Sequence, residues 1–291
     1  MNKKNTVPIK TRNVKELCMS EYKNRSCPNF LVRCAVFGIR SSSKKVYLDE
    51  MSLPCLTDHN LVYSGLQLNQ SDFDVFQIIG ELWTEQGRER YIMCSKYKLL
   101  GLLDKTDCKD NYEALKHSLE RLKTCIFKMQ SENYYFCKGF INGVEADEKT
   151  GEFRIEVDRN FIQLFDADKL SYQNFAIRSS LKGELTKWLY NFYSSQQDPQ
   201  KHRISFLKEL CGSESEFKKF KFSLKASLMQ LQEKGGIERF EIFPNDVVQI
   251  FPVKGKKKIS STPVARELPS SPIVEEDKCE QEFTGRGRVA L

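Results

Sequence analysis

Residues 214–234, ESEFKKFKFSLKASLMQLQEK, carry the reading of this chain. Phe217, Phe220, Leu224, Leu228 and Leu231 recur at intervals of three and four, which is one face of a helix. Gly235-Gly236 follows as a stop. Residues 111–124, NYEALKHSLERLKT, show the same pattern, with Tyr112, Leu115, Leu119 and Leu122 on one face. Leu115, Ser118, Leu119 and Leu122 match Leu224, Ser227, Leu228 and Leu231 at a constant offset of 109. A constant offset is the signature of an internal repeat.

The flanks of the two stretches agree. Before the first comes a helix pattern at 72–83, with Phe73, Phe76, Ile79, Leu82 and Trp83 inward. A short strand at 90–94 follows. Ser95 is placed to cap a second helix carrying Tyr97, Leu99 and Leu100, with Gly101 as its stop. After the stretch come strand patterns at 125–129, 134–141 and 153–157, with a turn at 147–151. The second copy reads alike. It has a helix at 181–193 with Leu185, Trp188, Leu189 and Phe192 inward, and a short strand at 202–205. Ser205 would cap a helix at 206–211 that stops at Gly212. Strands at 237–243 and 247–251 flank Pro244-Asn245.

Helix, short strand, helix, helix, hairpin is the order of a winged helix-turn-helix, whose third helix enters the major groove. The expected fold class is therefore α+β: two tandem winged-helix (helix-turn-helix plus β-hairpin) domains with flexible tails. The boundaries read as a flexible N-terminal arm at 1–30, a first winged helix at 31–165, a second at 166–253, and a disordered basic and polar tail at 254–291.

Charge sharpens the assignment. The net charge of +7 is concentrated in two blocks. Residues 1–65 carry 11 basic and 5 acidic side chains, and residues 201–258 carry 13 and 7, whereas 66–165 carry 14 and 17. Clustered Lys and Arg suit a phosphate backbone, because each contact releases condensed counterions. In the second copy Lys218, Lys221 and Lys225 are spaced i, i+3, i+7, with Lys219 and Ser215 beside them and Arg203 on the short strand. These are the candidate DNA-binding residues; solvated helix lysines are the plainer alternative. In the first copy the candidates are Lys116, His117 and Arg121, but Glu113 and Glu120 share the surface. A weaker DNA contact or a dimerisation role suits that helix.

Other chemistries find little support. Ten cysteines form no C-x-x-C pair, and His59, His117 and His202 lie near no cysteine pair, so neither a metal site nor a cofactor is expected. Most of the cysteines sit in apolar runs, where they act as small hydrophobes. There is no phosphate-binding loop, no G-x-S-x-G and no H-E-x-x-H. Asp72 and Asp74 fall at a helix N-terminus, where they complement the macrodipole. No apolar run spans a bilayer and the N-terminus does not read as a secretory signal, so a cytoplasmic, non-enzymatic protein is expected.

Some segments resemble a known family. Leu31-Val32-Arg33-Cys34-Ala35-Val36-Phe37-Gly38-Ile39-Arg40 and Gly65-Leu66-Gln67-Leu68-Asn69-Gln70-Ser71-Asp72 resemble the entry to the TrfA plasmid replication initiators. So do Leu185-Thr186-Lys187-Trp188-Leu189-Tyr190-Asn191-Phe192-Tyr193-Ser194-Ser195 and Leu207-Lys208-Glu209-Leu210-Cys211-Gly212-Ser213. The resemblance covers roughly residues 31–234. It implies a non-enzymatic protein that binds iterons, directly repeated sites in double-stranded plasmid origin DNA. It also implies help in opening the origin, recruitment of the host's DnaA, replicative helicase and sliding clamp, and a homodimer–monomer equilibrium. Members can carry a clamp-binding Gln-Leu-x-Leu-Phe pentapeptide. Gln67-Leu68-Asn69-Gln70 and Gln163-Leu164-Phe165 each match only part of it. A transcriptional repressor with the same two domains is the alternative function; an enzyme acting on nucleic acid ranks below both.

Overall fold

The computed structural model describes residues 24–39, 45–56, 60–131, 134–157 and 170–253. The first copy opens with strand β1 (Asn24–Pro28), helix α1 (Asn29–Val32) and strands β2 (Tyr47–Leu53) and β3 (Asn60–Leu66). Its helical part is α2 (Gln70–Glu85), strand β4 (Tyr91–Ser95), α3 (Lys96–Leu102) and α4 (Lys109–Thr124). Strands β5 (Ile126–Ser131), β6 (Tyr134–Lys138), β7 (Gly143–Asp147) and β8 (Glu152–Glu156) follow. The second copy has β9 (Leu170–Asn174), α5 (Phe175–Ser180), α6 (Glu184–Ser194), β10 (His202–Arg203), α7 (Ile204–Leu210), α8 (Phe217–Glu233), β11 (Arg239–Phe243) and β12 (Val247–Phe251).

The repeat seen in the sequence recurs in the hydrogen bonding. Each copy has a three-stranded antiparallel sheet in which a hairpin docks on the short strand between helices: β4-β8-β7 in the first and β10-β12-β11 in the second. Among the described residues the first copy alone adds a four-stranded sheet, β2-β3-β5-β6, whose first two strands precede its helices and whose last two lie between its third helix and its hairpin.

Capping explains several helix starts. At α2, Asn69 Oδ1 accepts from the backbone of Ser71 and Asp72, while Asp72 Oδ2 accepts from Asn69 N at 3.0 Å, a reciprocal capping box. Ser95 Oγ accepts from Lys98 N at 3.2 Å and starts α3 as expected. Ser205 does not cap: α7 begins one residue earlier, at Ile204, with Arg203 in the cap position and no side-chain bond. Gly212 (φ 70°) and Gly235 (φ 71°) take the left-handed turn that ends α7 and α8. Gly101, expected as a stop, lies inside α3, and the left-handed residue there is Asp104.

Two hydrophobic clusters lie one in each copy. The first is centred on Phe37, Phe73, Phe76, Phe127 and Phe140, whose rings sit 4.7–6.3 Å apart where they meet. The second is built on Trp188, stacked on Phe192 at 5.0 Å, with Leu207, Phe220, Leu224, Leu228 and Leu231. The strand expected over 134–141 stops at Lys138 because Phe140 leaves the sheet to enter the first cluster. Strand β7 lies outside the strand patterns of the sequence; it pairs with β8 around a turn in which Asp147 Oδ1 accepts from Lys149 N and Thr150 N.

The expected arm at 1–30 needs correction at its end. Residues 24–28 form β1, in antiparallel register with β9 from Asn24↔Asn174 to Pro28↔Leu170. Arg25 is buried there: Nη2 donates to Leu102 O at 2.6 Å, Nε lies 3.2 Å from Glu81, and the guanidinium covers the Phe175 ring. Residues 1–23 and the tail at 254–291 lie outside the described residues, as does the boundary expected at 165.

The clusters meet at a polar joint. Arg178, 1% exposed, donates to Asp74 Oδ1 (2.6 Å), Asn191 Oδ1 (2.7 Å) and Gln70 O (3.2 Å). Gln70 in turn donates to Phe37 O, and its backbone N–H donates to Glu184. Lys187 adds a second cation to Asp74 at 3.1 Å. Ile39 N donates to Cys211 O, and the Ile39 side chain packs on the second cluster.

Candidate nucleic-acid interface

Helix α8 buries Phe220, Leu224, Ser227, Leu228 and Leu231 and turns the rest outward. Lys218, Lys219 and Lys225 are exposed and have no acidic partner among the described residues. Arg203 on β10 is exposed and equally unpaired. Ser215 is half-buried just before the helix, its hydroxyl 3.0 Å from that of Ser213. Lys221 differs from the other lysines: its ammonium bonds Asp246 in the turn of the β11–β12 hairpin, so it ties helix to hairpin. It sits at the side of the helix, one residue from buried Phe220, rather than opposite the core.

Two further residues on α8 stand out, and the first departs from expectation. Phe217, read as part of the apolar stripe, is 38% exposed. Phe222, which the stripe did not include, is 78% exposed. Nothing but its position two residues from both Phe220 and Leu224 would have flagged it in the sequence.

Helix α4 presents a different surface. Arg121, expected to be exposed, is half-buried and donates from Nη2 to Asp72 Oδ1 at 2.6 Å and to Ser118 Oγ at 3.0 Å. Lys45 reaches the other Asp72 oxygen at 2.6 Å. Burial pushes the Asp72 carboxyl up, but the bonds from Arg121 and Lys45 outweigh it and hold the group below the usual carboxylate range. Asp72 and Asp74 thus do more than complement a macrodipole: each anchors two cations from distant parts of the chain. Lys116 is bonded to Glu148 at 2.9 Å, and His117 Nδ1 lies 3.0 Å from Glu120. All three basic candidates of the first copy therefore already have partners.

The partial clamp motifs fare poorly as docking peptides. Gln67, Leu68, Asn69 and Gln70 are buried, 1–7% exposed, and Asn69 and Gln70 serve the α2 cap and the joint. Residues 163–165 lie outside the described residues. Among the described residues no group of His, Cys, Asp and Glu could hold a metal ion, the cysteines are thiols, and no helix is long and apolar enough to cross a membrane. Cys27, Cys34, Cys94, Cys125 and Cys211 are buried, Cys55 is half-buried, and Cys108 and Cys137 are exposed.

No curated protein matches the chain. Among solved structures, domains 2 and 3 of RctB, as a selenomethionine derivative, superpose with a TM-score of 0.52 at 12% identity, over 70% of this chain and 86% of that one. The RctB fragment 155–483 gives 0.48 at 14%, over 67% and 81%. A Pi initiator protein in complex with iteron DNA gives 0.46 at 11%, over 67% and 98%. At 12% identity the first likeness speaks to the fold alone. The model of the TrfA protein family matches residues 7–250, most of the sequence, and the chain belongs to that family.

Proposed function

We propose that this chain is a plasmid replication initiator that binds iterons at a plasmid origin through two tandem winged-helix domains, spanning 31–165 and 166–253. Membership of the TrfA family supports the initiator reading. The observation that carries the DNA contact is the unpaired basic face of α8. Among the described residues Lys218, Lys219 and Lys225 have no internal anion to satisfy them, so phosphates are their natural partners. In this reading α8 enters the major groove, Arg203 and Ser215 meet the flanking backbone, and Lys221 fixes the hairpin against the helix. Helix α4, with Lys116, His117 and Arg121 already partnered, makes the weaker contact or none. The protein acts in the cytoplasm without catalysis, as monomer and dimer. The family resemblance implies host DnaA, the replicative helicase and the sliding clamp as partners.

The test is a salt titration of binding to duplexes carrying repeats from the plasmid's own origin. Changing Lys218, Lys219 and Lys225 together to Ala should reduce the slope of log affinity against log salt by about 0.9 per lost phosphate contact. An unchanged slope would remove α8 from the interface. Failure of the native protein to sustain replication of a plasmid bearing those repeats, with binding intact, would turn the reading toward a repressor.

A further inference from the structure

Phe222 has the highest exposure of any large hydrophobic side chain among the described residues, at 78%. It sits in the first half of α8, two positions from Phe220 on one side and from Leu224 on the other. Both neighbours are buried completely or nearly so. Two residues along a helix turn the side chain by roughly 200°, so Phe222 stands opposite the core. Lys218, four residues earlier, and Lys225, three residues later, share its face. Met229, a turn further beyond Lys225, is also exposed, at 57%. The face presented outward is thus an apolar ridge flanked by cations with no acidic partner among the described residues.

That pattern suits one particular surface. A membrane or an acidic protein would satisfy the lysines, but the apolar ridge is narrow and lies along a single helix. A B-DNA major groove offers anionic walls about as far apart as a helix is wide, and a floor of base edges. The lysines meet the walls and the ring is carried to the floor. Phosphates offer a phenyl ring nothing, and the polar base edges offer it little. The one apolar group displayed there is the C5-methyl of thymine. Resting on the reading of α8 as the groove-binding helix, we infer that Phe222 is a specificity-determining residue that reads thymine by packing on its methyl group.

The test uses the full-length protein and a duplex that it enriches from a randomised library. Each thymine of the enriched site is replaced in turn by uracil, which removes the methyl and leaves the base pairing intact. For the native protein, one or two positions should lose about fourfold in affinity, the effect of one buried methyl group. Phe222→Ala should bind the thymine and uracil duplexes equally, while keeping the native salt slope and thermal midpoint. Phe222→Leu should retain part of the discrimination. The inference is overturned if native protein binds every uracil duplex as well as the thymine one. It is overturned equally if Phe222→Ala still discriminates, or if that variant shifts the sedimentation of the free protein, which would make the ridge a contact between copies. The Lys218, Lys219 and Lys225 alanine variant separates the two readings. Lost salt dependence with no thymine effect sinks this inference alone, whereas unchanged salt dependence sinks the role of α8 itself.

Discussion

Helices α4 and α8 share a core pattern and differ in how they use their charges. In α4, Arg121 is committed to Asp72, Lys116 to Glu148 and His117 to Glu120. In α8, Lys221 alone of the four basic candidates is committed among the described residues, and it holds the hairpin. A duplicated helix keeps its apolar positions because both copies must bury them. Its cations are free to diverge: in one copy they meet internal carboxylates, and in the other three of the four meet none among the described residues. The first copy also carries a sheet, β2-β3-β5-β6, with no counterpart among the described residues of the second.

The comparison can be broken at its joint. Arg178→Met should lower the unfolding free energy by about 3–5 kcal/mol, because Asp74 would lose its main counter-ion within a buried network. Equilibrium denaturation measures this, and a loss near zero would mean that Lys187 suffices. Next in size, Arg121→Ala should cost about 2 kcal/mol, since Lys45 stays on Asp72, and it should leave the salt slope of DNA binding unchanged. The same pair sets an acid limit. The folded pKa of Asp72 is depressed, so its contribution is complete above the unfolded value and disappears as pH falls through the folded one. Arg121→Ala should therefore lose less stability on acidification than the native chain does. A variant of α4 that did alter the salt slope would place that helix on DNA as well.

The alanine triple variant at Lys218, Lys219 and Lys225 is the converse. Binding should fall roughly tenfold to a hundredfold at moderate salt with the thermal midpoint unmoved. The smallest effect belongs to Asp246→Asn, which releases Lys221 from the hairpin. The salt slope should steepen by less than about one unit if the freed ammonium finds a phosphate, as a filter-binding titration would show.

Much of this was legible in the sequence because it is periodic. Leu224, Ser227, Leu228 and Leu231 are buried, as are Leu115, Ser118, Leu119 and Leu122, and the 109-residue offset between them needs only the helical period to be seen. Strand β12 and the Ser95 cap of α3 are likewise local. What escaped is non-local. Asn24–Pro28 is polar and ends in proline, and only the distant β9 makes a strand of it. β7 is short and largely exposed, an edge with no alternation to betray it. Arg121 reads as a surface cation until Asp72, 49 residues away, is folded beneath it. At the site the same limit applies. Spacing put Lys218, Lys221 and Lys225 on a line, but only the fold shows that Lys221 is spoken for and that Phe222 is left uncovered.

The β1–β9 ladder sets an order on events during synthesis. Asn24 leaves the ribosome long before Asn174, its partner, has been made. Until then β1 has an open edge, and Phe175, the ring that covers Arg25, is not yet there. The first half of the protein is thus completed by the start of the second, and a nascent chain halted before Leu170 presents an unfinished sheet for quality control to find.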